Sequence, residues 1–272
     1  MTFPHCSFPH VTPWLRFTLI PYKSKRASPT SVTSHSPAAS SSSQLPQAPL
    51  VSTPQPPRRG LFIALEGLDR AGKSTQIARL HDQLGGPSRT TLLKFPDRTT
   101  PIGKLLHSYL TSPQEQLDDR AVHLLFAANR WEVAARIRRE VEQEGRIVLA
   151  DRYAWSGVAY SRAKGLPLSW LFSPELGLPL PDLTLFLSLD PAVAAQRGGY
   201  GEERYEESGM QRRVRKSFGE VARVVSGSGA NWRELDAGRG GVEEVWEMVW
   251  GAVRGVVDGE RRQALNEIDV RV

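Results

Sequence analysis

Leu61-Phe-Ile-Ala-Leu-Glu66, followed by Gly67-Leu-Asp-Arg-Ala-Gly-Lys-Ser74 and Thr75, is the stretch that decides the fold. Five apolar residues run through an acid into a glycine, the pattern of a short strand buried on both faces. Gly67, Gly72, Lys73 and Ser74 then stand at the G-x-x-x-x-G-K-[ST] spacing of a phosphate-binding loop. The glycines let the backbone turn tightly and approach a ligand, so that successive N–H groups face one anion-sized hollow. A helix starting near Gly72 adds its positive end, Lys73 reaches the outer phosphates, and the Ser74 hydroxyl meets a magnesium ion. Gly67, Asp69, Arg70, Ala71, Gly72, Lys73, Ser74 and Thr75 are thus the expected nucleotide-binding residues. Glycine-rich turns follow strands in many proteins; the complete spacing behind an apolar run is what selects nucleotide binding. What is done with the nucleotide has to come from elsewhere in the chain.

Downstream, Ser74–Leu84 has helical spacing and ends at Gly85-Gly86-Pro87, and Thr90–Phe95 reads as a second strand. Strand, helix, strand opens a doubly wound α/β fold, whose ligands lie at the carboxyl ends of parallel strands. Phe95-Pro96-Asp97-Arg98 falls at such an end, where a second ligand is gripped or a solvated arginine simply turns the chain. Ile102–Leu110 reads as a short helix, and Gln114–Glu144 as a long one uninterrupted by glycine or proline. Phe126 and Arg130 share one face of it. Spacing alone favours a core phenylalanine beside an arginine with a packed stem; the other arrangement stacks the ring on a planar base and bonds the base edge.

Gly145–Ala150 is a third strand, and Asp151 directly after it is placed to take the metal, or to cap the next helix. Arg152 then faces the anion. Gly165–Pro181 reads as a loop with a short turn near Trp170, Asp182–Leu189 as a fourth strand, and Ala192–Gln196 as a helix. The glycine-rich stretch after Arg197 suits a cover over the phosphates, about residues 197–207, that excludes water during transfer. Gln211–Val225, Trp232–Leu235 and Val242–Val257 supply a helix, a last strand and a closing helix. Residues 258–272 are charged and expected to be loosely ordered.

Residues 1–59 hold no Asp or Glu and are crowded with Ser, Pro and Thr, a composition expected to remain disordered. Six of the 35 Lys and Arg lie there; the other 29 balance the 29 acids, so the net charge of +6 belongs to the extension. A nearly neutral body speaks against nucleic acid as a partner. The extension fits either an organellar import segment or an untargeted addition. Cytoplasm or nucleus is expected, with the mitochondrion reached only if the extension directs import. No run approaches the apolar length of a membrane span. Cys6, the only cysteine, lies in the extension.

Taken together, Gly67-Leu-Asp-Arg-Ala-Gly-Lys-Ser74, Phe95-Pro-Asp-Arg98, Phe126-Ala-Ala-Asn-Arg-Trp131, Asp151-Arg-Tyr153 with Ser156-Gly157, and Glu203-Arg-Tyr-Glu206 resemble the thymidylate kinases, in their eukaryotic form. The resemblance spans about Gly60 to Val257. It implies a P-loop kinase fold, a parallel sheet of about five strands flanked by helices, with a lid. It also implies a homodimer that uses magnesium to move the terminal phosphoryl group of ATP onto thymidine monophosphate.

The resemblance assigns Lys73, Arg70, Arg98 and Arg152 to catalysis, and Ser74 and Asp151 to the metal. Asp69 takes the sugar 3′ hydroxyl, while Phe126 and Arg130 take the base, which overrides the plainer reading of that pair. Phe95, Gly157, Tyr160 and Gln211 join the acceptor site, Tyr205 disfavours a 2′ hydroxyl, and Arg197 lies beside the donor adenine. Tyr160 stands where the family often carries phenylalanine, which leaves base preference open. The absence of arginine between Gly198 and Glu203, with Arg70 in the loop, fits the eukaryotic arrangement.

Overall fold

Leu61–Gly67 forms strand β1, and all seven of its residues are buried. The reason is positional: β1 is the middle strand of a sheet covered on both sides. Phe62 and Ala64 enter one apolar core, while Leu61, Ile63 and Leu65 enter the other. The computed structural model describes residues 59–112, 114, 116–195, 204–205, 207–259 and 264–270. Readings made for residues 1–58 and for Arg197 therefore lie outside the described residues.

Four more strands, β2 (Thr90–Lys94), β3 (Ile147–Asp151), β4 (Leu183–Ser188) and β5 (Trp232–Asp236), complete a parallel sheet in the order β2-β3-β1-β4-β5. Helices α1 (Lys73–Gln83) and α8 (Val242–Val257) cover one face. The other carries α3 (Asp119–Arg138), α4 (Ala154–Arg162), α5 (Leu168–Phe172) and α7 (Ser208–Gly227), with α2 (Pro101–Thr111) packed on α3. The short α6 (Pro191–Ala195) follows β4. At the start of the body, Arg59 makes a two-pronged pair with Asp182 at 2.9 and 2.6 Å.

Three local expectations differ from what is observed. Helix α3 begins at Asp119, later than Gln114, because the Asp118 side chain accepts from the Arg120 N–H at 2.8 Å and sets the cap there. The segment 165–181 contains α5 and a 3-10 turn, Ser173–Glu175, rather than loop alone. Residues 258–272 were expected to be loose, yet Leu265, Ile268 and Val270 are buried in the core. Backbone bonds from Gly177 N to Ile268 O, Leu180 N to Asn266 O and Ile268 N to Leu178 O lay this segment along 177–180. Its partners are remote in sequence, so no local periodicity announces it.

Candidate active site

The carboxyl ends of β1, β2 and β3 open on a cavity of about 850 Å3. Where β1 meets it, Gly67 has φ +145°, and a Cβ there would stand 2.6 Å from the Leu187 carbonyl oxygen, so the strand ends only on glycine. Arg70 and Arg152 line the cavity with φ of +63° and +67°. For residues bearing a side chain, this left-handed backbone costs about 1–2 kcal/mol. The surrounding structure sustains that cost at two cations facing one hollow.

At the loop, the buried Lys73 ammonium donates to the carbonyls of Leu68 at 2.7 Å and Gly67 at 3.4 Å. Burial and then the Arg152 charge lower its pKa to about 8, against the pull of Asp151, Asp69 and Glu66. The Ser74 hydroxyl donates to Asp151 Oδ2 at 2.7 Å. Two hard oxygen donors from different elements, beside a phosphate cradle, are a set that suits magnesium, which keeps several waters and phosphate oxygens in its shell.

Asp69 is the hub of the next layer. Its Oδ1 accepts from Arg152 at 2.5 Å, and its Oδ2 from the Tyr160 hydroxyl at 2.7 Å and Gln211 Nε2 at 2.8 Å. Burial would raise its pKa, but the charges of Arg152 and Lys73 outweigh burial and hold the carboxyl below its usual range. Burial pushes the Tyr160 phenol upward, so tyrosine is the donor. The hydroxyl that sets this residue apart from phenylalanine is thus tied to Asp69.

The far end is built on α3. Arg130, 2% exposed, donates through Nε to Glu175 Oε2 at 2.8 Å and through its terminal nitrogen to Glu175 Oε1. A Cβ at position 157 would lie 2.7 Å from that guanidinium, which is why Gly157 faces it. Phe126 stands one turn before Arg130, and both line the cavity. The buried Asn129 accepts from Asp97 N at 2.8 Å and donates to Asp97 O at 3.1 Å, fastening the segment that carries Arg98. Arg98 lies against His107 at 3.0 Å.

Asp69, Arg70, Ala71, Gly72, Lys73, Ser74, Thr75, Phe95, Arg98, Phe126, Arg130, Asp151, Arg152, Gly157, Tyr160 and Tyr205 all line the one cavity. Gly67 and Gln211 stand behind the lining: the Gly67 carbonyl accepts from Arg152 at 2.7 Å, and Gln211 braces Asp69. Sequence reading missed Glu175, Lys164 and Glu66. The wholly buried Glu66 carboxylate accepts from the N–H groups of Tyr153 at 3.0 Å and Ser156 at 3.1 Å, and so caps α4. An acid closing an apolar strand was its only trace.

The thymidylate kinase family model matches residues 65–249. Thymidylate kinase of Danio rerio is 45% identical over 213 residues, covering 78% of this chain and 98% of that protein. Its Homo sapiens counterpart is 46% identical over 194 residues, covering 71% and 89%. The solved thymidylate kinase structure from Candida albicans superposes with a TM-score of 0.71 at 39% identity, covering 78% of this chain and 99% of that one. With the phosphate loop, the α3 pair and the Asp69 hub in one cavity, the chain belongs to the thymidylate kinase family.

Proposed function

We propose that the cavity holds thymidine monophosphate between Phe126, Arg130 and Tyr205, and ATP with magnesium along Asp69–Thr75. The chain is an ATP-dependent kinase that converts thymidine monophosphate to the diphosphate. The observation that carries the site assignment is the buried Arg130–Glu175 pair, one turn from Phe126, in the same cavity as the Lys73 loop. An aromatic face and a neutralised guanidinium suit an uncharged base; the loop end suits phosphates.

The attacking oxygen belongs to a phosphate already ionised near neutral pH, so no strong general base is needed. What resists reaction is bringing two anions together. Arg98 and Arg152 hold the acceptor phosphate, while Lys73 and Arg70 offset charge on the transferred oxygens. Asp69 takes the sugar 3′ hydroxyl in exchange for part of its internal bonding. Ser74 and Asp151 would hold the magnesium ion, which when bound would supply charge neutralisation to the donor phosphates. Transfer is direct and in line, with no covalent enzyme intermediate. The Tyr205 ring closes the sugar end against a 2′ hydroxyl; the roles expected of Arg197 and of most of the cover at 197–207 fall outside the described residues.

A coupled assay of ADP release, offering thymidylate, deoxyuridylate, uridylate, cytidylate, guanylate and adenylate separately, tests the base site. Turnover confined mainly to thymidylate is expected; preference for a purine would overturn the roles given to Phe126 and Arg130.

The working unit is a homodimer joined through α2 and α3. Leu105 on α2, Leu117 just ahead of α3, and Leu124 and Trp131 on it are all exposed. Leu124 and Trp131 stand seven residues apart on α3, a spacing that puts both on one side of the helix for a like partner. Light scattering should give twice the chain mass, and Leu124→Glu should reduce it to one. Among the described residues no helix is long and apolar enough to cross a membrane. The reaction is placed in cytoplasm or nucleus, or in the mitochondrion where residues 1–59 direct import.

A further inference from the structure

Lys164 lines the cavity just past α4, yet the reaction as described gives it no task. Its ammonium donates to Asp119 Oδ1 at 2.8 Å and to the Tyr205 hydroxyl at 2.8 Å. The Tyr205 hydroxyl donates in turn to the Tyr109 hydroxyl at 3.1 Å. Four segments meet at this cluster: Tyr109 comes from α2, Asp119 from the first turn of α3, Lys164 from the turn just after α4, and Tyr205 from the turn before α7.

Arg204 pins the same turn from its other side. Its side chain donates to the carbonyls of Tyr109 at 3.0 Å and Ser112 at 2.7 Å, among those that the end of α2 leaves without helical partners. Its guanidinium carbon lies 4.3 Å from the centre of the Tyr109 ring. The backbone at Tyr205 is therefore fixed by Arg204, and the direction of the ring by what holds its hydroxyl. That ring lies 5.6 Å, centre to centre, from Tyr160, whose own hydroxyl is on Asp69. The wall beside the sugar position thus depends on an ammonium anchored by a carboxylate on another helix.

A lysine suits this task because its three rotatable donors can serve an acid and a phenol at once, which a planar guanidinium fork does less readily. A plain stabilising ion pair accounts for it poorly: the Asp119 side chain is 45% exposed, and such pairs contribute little.

We infer that Lys164 is a positioning residue that sets the Tyr205 ring against the acceptor sugar and thereby sets the preference for deoxyribose over ribose. This rests on the reading of Tyr205 as the wall at that end. The test uses the full chain and measures kcat and KM for thymidylate and for its ribose counterpart, 5-methyluridine 5′-monophosphate, with melting temperature alongside. Lys164→Met should lower the deoxyribose-to-ribose ratio of kcat/KM about tenfold, since a ring out of place by a fraction of an ångström loses its discrimination. Tyr205→Phe should do the same, and the double variant should add nothing further. Asp119→Asn, at a half-exposed position where folding is insensitive, should move the ratio in the same direction by less.

An unchanged ratio in Lys164→Met, or independent addition of the Lys164 and Tyr205 effects, would overturn the inference. If Lys164→Met fails to fold, an unchanged ratio in Asp119→Asn overturns it instead. Unmodified protein without turnover of thymidylate would defeat the functional reading. Turnover without sugar preference would defeat the Tyr205 wall, and with it this inference.

Discussion

The two ends of the cavity handle charge in opposite ways. At the base end, Arg130 is locked to Glu175 in a buried pair, and the neighbouring His123, buried and near Arg130, has its pKa lowered to about 4 and is neutral at physiological pH. At the end assigned to phosphates, Lys73, Arg70, Arg98 and Arg152 line the cavity, and the carboxylates among its described lining residues are Asp69 and Asp151. Lys73 there rests on carbonyls of its own loop, bonds that on the proposed assignment an incoming phosphate would replace. On the proposed assignment, the protein neutralises its arginine where the uncharged base would lie and gathers cations where the phosphates would lie. Recognition at the first end is directional and short in range; at the second it is electrostatic, and it strengthens once water is excluded.

The sharpest way to break this contrast is Lys73→Met, which should lower kcat by about a thousandfold, the cost of losing a preorganised donor to developing charge. Steady-state kinetics with thymidylate would check it, and the KM for thymidylate should change far less. Glu175→Gln attacks the other end, leaving Arg130 as a buried unpaired cation. A loss of about 3–5 kcal/mol of stability is expected, seen as a fall of roughly 10 °C in melting temperature. The KM for thymidylate should rise while that for ATP holds. If ATP suffers equally, the ends are not independent.

A milder probe is pH. The Lys73 pKa is lowered to about 8 in the ligand-free protein, so the charged form prevails below that value and is lost above it. The kcat/KM for ATP, which reports the free enzyme, should therefore fall several-fold between pH 8 and 9. Bound phosphates favour the ammonium, so kcat itself should decline only at higher pH. A flat kcat/KM profile across that range would mean that Lys73 keeps its charge without a ligand.

What the sequence made legible follows from how local each signal is. Gly67 to Ser74 carries its own geometry, because the spacing of glycines, lysine and serine is itself the shape of the loop. The strands around it were legible because burial on both faces writes an unbroken apolar run, as in Leu61–Leu65. Glu175 was not legible, since an acid in a Pro- and Leu-rich segment looks like any surface charge until Arg130 is brought against it. Lys164 and Asn129 are silent for the same reason: each acts through a partner on another element. Leu265, Ile268 and Val270 are too few among charges to form a periodic face, and only their contact with 177–180 reveals them. Phe126 and Arg130 lie between these cases. Their i, i+4 spacing placed them on one face, but spacing alone chose the plainer arrangement.

The central place of β1 in the sheet has a consequence for the order of assembly. Among the described residues β1 is the first strand to be synthesised, yet it pairs with none of the next residues to emerge; its ladders are to Ile147–Asp151 on one side and Leu183–Leu187 on the other. Until both have left the ribosome, a mostly apolar ribbon with two open edges must wait, the kind of segment that invites chaperones or self-association. Loop closure over such distances makes folding slow relative to a helical bundle of equal size. The strand that leads into the phosphate loop is thus, of the described strands, the first written and among the last secured, and conditions that slow synthesis of residues 147–187 should test solubility before they test activity.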